Sequence, residues 1–128
     1  MSDARPLVSV VDDDESVRES LPDLLREFGF DVQAFSSAED FLGSPHLDQT
    51  SCLILDIAMP GLSGPDLHRE LKQQQRNIPI IFITAHGDDT IRPRMLEQGA
   101  AECLIKPFSE AALLAALNAA LNRNIAAP

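Results

Sequence analysis

Long hydrophobic runs are missing from this sequence. Apolar stretches such as CLIL at 52–55 and IIFI at 80–83 are far shorter than the roughly 20 residues a bilayer-spanning helix needs, so no membrane contact is expected. The amino terminus, MSDARPLV, has no basic region followed by an apolar stretch; with no secretory signal visible, a cytoplasmic location is the expectation. Basic residues are scarce, ten Lys and Arg against twenty Asp and Glu, for a formal net charge of −10. Such a chain repels phosphate backbones and anionic headgroups, which argues against direct binding of nucleic acid. Cysteine is nearly absent. Cys52 and Cys103 both lie in apolar strand-like runs, where a small buried thiol is a better reading than a disulfide or a metal pair. The three histidines, His46, His68 and His86, have no metal-ligand spacing and read as surface residues. No Gly/Ser tract, internal repeat or low-complexity run occurs, and no Gly-x-Gly-x-x-Gly follows the first strand, which excludes a dinucleotide-binding domain.

What is present is an alternation. The 128 residues suffice for one domain with a single core. Strand-like runs LVSVV (7–11), DVQAF (31–35), CLIL (52–55), IIFIT (80–84) and ECLI (102–105) alternate with helical patterns, as in an α/β fold of parallel strands joined by crossover helices. The first, third and fourth runs are nearly continuous hydrophobes, suited to strands covered on both faces, whereas the alternating second suits an edge. Val17, Leu21, Leu24, Leu25 and Phe28 form an amphipathic stripe that Gly29 ends. Ser36 with Glu39 reads as a capping box before a short Phe41–Leu42 segment, and Gly64 with Pro65 opens a third helix. Pro22, inside the first stripe, should bend or shorten its helix. Pro93 suits the first turn of a short fourth helix starting near Arg92 and ending at Gly99, which leaves 87–91 as a mobile loop. Leu113, Leu114, Leu117 and Leu121 mark the last helix. The ordered core is expected to span about 6–123, with NRNIAAP running out as a frayed tail at a domain edge.

Ligands of an open parallel sheet collect outside the carboxyl ends of its strands. After the first strand stand Asp12, Asp13, Asp14 and Glu15; after the third, Asp56; after the fourth, Thr84; after the fifth, Lys106. Two carboxylates about 5 Å apart repel by about 3 kcal/mol at an effective dielectric near 20, so such a cluster calls for a cation or a shifted pKa. All-oxygen ligation suits Mg²⁺, which favours one or two carboxylates plus phosphate oxygens. A carboxylate is itself a competent nucleophile toward phosphorus, with a lysine and a hydroxyl holding the oxygens of the transferred group. Asp56, Lys106 and Thr84 fit those three roles, while Asp14 and Glu15 read as caps of the following helix.

The segments VVDDDES, LDIAMPGLSG, ITAHGD and LIKPF, in this order and spacing, resemble the signature of response-regulator receiver domains, and the likeness spans essentially the whole chain. The resemblance implies a flavodoxin-like, doubly wound fold: a five-stranded parallel sheet in the order 2-1-3-4-5 with five helices. It implies that Asp56 accepts a phosphoryl group from a phosphohistidine on a sensor histidine kinase. Asp13, Asp56 and the carbonyl of Ala58 would ligate Mg²⁺ (or Mn²⁺), Asp12 would act through water, Lys106 and Thr84 would hold the phosphoryl oxygens, and the Ala85 amide would add a donor. It also implies a cis peptide between Lys106 and Pro107. Such a domain catalyses its own phosphorylation and slow dephosphorylation but is primarily a regulatory switch. The ITAHGD and KPF segments are closest to FixJ-like receivers, which implies a transcriptional, DNA-binding output outside these residues and allows a phosphorylation-dependent dimer. One departure concerns switching: the aromatic that receivers commonly place three residues before the strand-five lysine is Cys103 here, too small to act as a rotor beside Thr84. A rival resemblance, to haloacid-dehalogenase-type phosphatases, would use Asp12 and Asp14, but leaves Asp56 unexplained.

Overall fold

Five strands pair in parallel in the order β2-β1-β3-β4-β5. They are β1 (Leu7–Val11), β2 (Asp31–Phe35), β3 (Thr50–Asp56), β4 (Ile80–Thr84) and β5 (Glu102–Ile105), alternating with helices α1 (Glu15–Glu27), α2 (Ala38–Leu42), α3 (Gly64–Gln73), α4 (Ile91–Glu97) and α5 (Glu110–Leu121). This computed structural model describes residues 5–85 and 89–121. Residues 1–4 of the expected amino-terminal tail, the expected carboxyl-terminal tail, residues 122–123 of the expected core, His86, and positions 87 and 88 of the expected mobile loop lie outside them. No helix among the described residues is long and apolar enough to cross a membrane.

The continuous apolar runs are explained by two cores, one on each face. Successive strand residues point to opposite sides, so Leu53, Leu55 and Phe82 join Phe41, Leu67, Leu71 and Met95 on one face. Val8, Val10, Ile54, Ile81 and Ile83 pack against Leu21, Leu25, Leu113 and Leu117 on the other. Each such buried side chain contributes roughly 1.5–3 kcal/mol. β2 is an edge, with Asp31, Gln33 and Ala34 exposed, and β5 is the other, with Ile105 exposed. Cys52 and Cys103 are buried free thiols, as expected.

Local signals set most helix ends. Gly29 ends α1 in the left-handed region at φ +98°, and its N–H and that of Phe30 close the helix onto the carbonyls of Arg26 and Leu25. α1 nevertheless continues through the buried Pro22 to Glu27, so this proline does not shorten it. The α2 cap is Ser37, not Ser36: the extended backbone of Ser37 lets its hydroxyl accept from Asp40 N–H at 3.0 Å. Glu39 is thereby released to accept from the Leu62 N–H instead. α3 is opened by Ser63 and Asp66 in a reciprocal capping box, with Pro65 in its first turn. α4 starts at Ile91, one residue before the expected Arg92, carries Pro93 in its first turn and has only seven residues. Its Arg92 grips Glu102 of β5 through two hydrogen bonds of 2.7 and 3.0 Å.

His68 corrects the surface reading. It is 7% exposed, its ring edge-on to Phe82 at 5.7 Å, because an imidazole presents an apolar body that packs like a small aromatic. His46 is half-buried. Burial, then the charge of Lys72, push the His68 pKa below its ordinary value. The unfolded chain therefore binds a proton that the folded chain resists, and stability falls as pH drops below about 6.5, by at most about 1.4 kcal/mol per pH unit. Urea unfolding between pH 5 and 7.5 should show a shallower loss for His68→Leu than for the wild type; parallel curves would remove His68 as the cause.

Candidate functional site

The carboxyl ends of β1, β3, β4 and β5 bring the expected residues together. Asp12, Asp56 and Thr84 are buried, at 0%, 6% and 4% exposure, while Asp13 projects outward. One oxygen from each of Asp12, Asp13 and Asp56 lies within 4.8 Å of the others. Lys106 reaches across from the end of β5 to donate to Asp12 Oδ2 at 2.9 Å, and Asp12 Oδ1 accepts from the Asp14 N–H at 2.9 Å. A cavity of about 220 Å³ opens here, lined by Asp13, Asp56, Ala58, Thr84, Ala85 and Lys106, with Asp14 at its side. The Lys106–Pro107 peptide is cis.

The local fold explains these placements. Asp12 follows the last ladder residue of β1 and is tied to β2 through its N–H to the Phe35 carbonyl. Asp56 is the last residue of β3, which is longer than expected at both ends: Thr50 and Ser51 begin it, and the Thr50 hydroxyl pairs with that of Ser9 at 2.7 Å. Beyond β3 the chain is held by Ile57 N–H to Ile83 O and Gly64 N–H to Ile57 O, both 3.0 Å. The Lys106 N–H bonds the Thr84 carbonyl at 2.8 Å, which ties the lysine and hydroxyl positions to each other.

Electrostatically the pocket is frustrated. Burial, then the charge of Asp12, push the Asp56 carboxyl up to about 7 against the opposing pull of Lys106 and a hydrogen bond from the Ala58 N–H. Burial alone would depress the Lys106 ammonium, but the hydrogen bond and charge of Asp12, helped by Asp56 and Asp14, leave it raised. Among the described residues, three carboxylates thus face one ammonium, and the clustered ligand atoms are all carboxylate oxygens. That donor set fits a hard divalent cation better than a soft metal.

A family model for the response regulator receiver domain matches residues 8–118. The chain belongs to this family. As a receiver it is 48% identical over 120 residues to nodulation protein W of Bradyrhizobium diazoefficiens, covering 94% of this chain and 53% of that protein. It is 44% identical over 121 residues to the response regulator protein TodT of Pseudomonas putida, with coverage of 94% and 53%. The solved structure of FixJ-N superposes with a TM-score of 0.80 at 36% identity, covering 95% of this chain and 96% of that one. The receiver spans about half the length of the curated relatives it matches.

The phosphatase alternative is not supported. Asp14, which it needs beside Asp12, is the cap of α1: its carboxylate accepts from Ser16 N–H and Oγ at 3.0 and 2.8 Å, and those bonds hold its pKa down. Glu15 sits in the first turn of the same helix.

Gly64 belongs to the site in a way the sequence reading missed, having taken it only as a helix opener. A methyl group there would collide with the carbonyl oxygen of Asp56 and stand 3.0 Å from Ile57 Cα, so α3 packs against the backbone of the acidic residue itself. The available signal was a glycine at the first helical position, where a serine cap and Pro65 already start the helix.

Proposed function

We propose that this receiver is a phosphorylation-dependent switch that takes a phosphoryl group from a phosphohistidine of a sensor histidine kinase onto Asp56. The observation that supports it most is the position of Asp56: buried at a strand end, crowded by Asp12 and Asp13, and facing Lys106 and Thr84 across one small cavity. In the transfer, a carboxylate oxygen of Asp56 attacks phosphorus, the P–N bond to the imidazole breaks, and the imidazole keeps the electron pair and takes up a proton. Lys106, the Thr84 hydroxyl and the Ala85 amide bind the phosphoryl oxygens. Hydrolysis reverses the acyl linkage: water attacks phosphorus, inorganic phosphate leaves, and the Asp56 carboxylate returns. Mg²⁺ (or Mn²⁺), held by Asp13, Asp56 and the Ala58 carbonyl with Asp12 behind them, would neutralise charge on the oxygens during transfer. In a cytoplasmic setting, the phosphorylated state is passed to a transcriptional output domain outside these residues, by analogy with relatives twice as long. The chemical signature is specific: label taken from acetyl phosphate with Mg²⁺ should be released by hydroxylamine, as acyl phosphates are, and hydroxylamine-stable label would contradict the assignment.

Switching departs from an aromatic rotor. Cys103 is 2% exposed and pairs in register with Phe82, while Thr84 pairs with Ile105. A thiol cannot sweep between two positions in a packed core, so the change at Thr84 is relayed by the backbone of 85–95, of which 86–88 lie outside the described residues and 91–95 belong to a short α4 held to β5 by Arg92. Hydrogen exchange in 89–95 should change about tenfold on addition of beryllofluoride. The change should persist in Cys103→Ala and disappear in Thr84→Ala. Loss of the response in Cys103→Ala with 85–95 unchanged in the wild type would refute this route.

A further inference from the structure

We propose that Arg18 of α1 is a positioning residue for the metal site, holding the turn that presents Asp13; this rests on the reading of the acidic pocket as a divalent-cation site. Arg18 is half-buried, and its Nη1 donates to the main-chain carbonyl of Asp12 at 2.9 Å. Its own backbone N–H donates to the carbonyl of Asp14 at 3.2 Å. The Arg18 side chain thus holds the carbonyl before Asp13, while the Asp14 carbonyl after it is held by the main-chain N–H groups of Val17 and Arg18. Other anchors of the turn come from other directions: Asp12 N–H to Phe35 O, Lys106 to one Asp12 oxygen and Asp14 N–H to the other. Asp13, whose carboxylate is exposed, takes its place from these neighbours.

The Asp12 carbonyl is a point where such help matters. The pairing of β1 with its neighbours ends at Val11, and the first carbonyl of α1 to accept a helical bond is that of Asp14. Regular structure thus holds the chain on either side of the turn and leaves the Asp12 carbonyl to a side chain. Arg18 also directs its charge at a carbonyl rather than a carboxylate, so it does not occupy an oxygen that a cation would use.

Two effects of Arg18 have opposite signs, which makes the role testable. As a positive charge near a dication it repels, so on Coulomb grounds its removal tightens Mg²⁺ binding. As a support behind a ligand its removal loosens the turn and weakens binding, typically by roughly ten-fold. Positioning is the larger effect if the hydrogen bond fixes Asp13.

The test is calorimetric Mg²⁺ titration of the whole chain as wild type, Arg18→Ala and Arg18→Lys, with the rate of phosphorylation by acetyl phosphate measured over a range of Mg²⁺. Arg18→Ala is expected to weaken Mg²⁺ by roughly ten-fold and to regain the wild-type rate at saturating Mg²⁺. Arg18→Lys, which keeps a donor and the charge, should recover most of the affinity. Affinity unchanged or tighter in Arg18→Ala, or as weak in Arg18→Lys as in Arg18→Ala, would overturn the proposal, whatever the stability of the variants. A wild type that binds no Mg²⁺ would instead overturn the reading of the pocket, and this inference with it.

Discussion

Lys106→Ala is expected to cost about 3 kcal/mol of folding stability in the absence of divalent ions, because it leaves the fully buried carboxylate of Asp12 without its counter-ion. The lysine is itself largely covered, with 19% of its side chain exposed against none for Asp12, so water replaces little of what is lost. A surface ion pair would contribute less than about 1 kcal/mol. Lys106→Met separates the charge from the packing of the stem: it should be nearly as destabilising as alanine if the charge dominates. Mg²⁺ should narrow the gap to wild type, since a cation in the pocket supplies the missing positive charge. Urea midpoints in EDTA and in Mg²⁺ measure both effects, and equal midpoints for all three proteins in EDTA would show that the pair does not stabilise the fold.

Gly64→Ala tests a backbone contact and has an unusual sign. Glycine to alanine at a helical position normally stabilises by about 0.4–1 kcal/mol, through the unfolded chain. Here the new methyl group meets the Asp56 carbonyl oxygen and Ile57 Cα, both main-chain atoms that cannot rotate away. Either α3 withdraws from the sheet or the end of β3 bends. Overpacking of this kind costs typically 1–3 kcal/mol, and the bend displaces the residue assigned to phosphoryl transfer. The variant should therefore unfold at lower urea and take up phosphate at least about ten-fold more slowly. A variant as stable as wild type and as fast would show that the contact relaxes without consequence.

The fold was legible because the first, third and fourth strands are apolar runs whose two faces are both covered, and because Gly29 and Gly99 stop helices where only a left-handed residue fits. Asp12, Asp56, Thr84 and Lys106 were legible for a topological reason: in a parallel sheet, strand ends on one side must meet. Several features set by polar strand starts, alternative caps or main-chain contacts were not. The first residues of β3, Thr50 and Ser51, carry no apolar signal; Thr50 is buried because its hydroxyl donates to the His46 carbonyl and pairs with the Ser9 hydroxyl. Adjacent serines at 36 and 37 offer the same cap, and only the backbone angle at Ser37 chooses between them. His68 stands on the α3 face with Leu67 and Leu71, but imidazole gives no sign of whether its apolar body or its nitrogens will decide its place. The grip of Arg18 on a carbonyl and the closeness of Gly64 to another involve main chain, which leaves no residue-type pattern to read.

Asp56→Asn removes the proposed phosphoryl acceptor, and the same swap of charge for a neutral isostere gives two readouts. Asparagine has the shape of aspartate but neither its nucleophilic oxygen nor its charge in a pocket that already holds Asp12 and Asp13. In EDTA at pH 8 the variant should be more stable than wild type by roughly 1–3 kcal/mol, because one of three crowded carboxylates is gone. The decisive measurement is intact mass after incubation with acetyl phosphate and Mg²⁺. Wild type should gain one phosphoryl group, wild type in EDTA none, and Asp56→Asn none in either condition. A phosphoryl group on Asp56→Asn at the wild-type level, or uptake by wild type that does not depend on a divalent ion, would contradict the account.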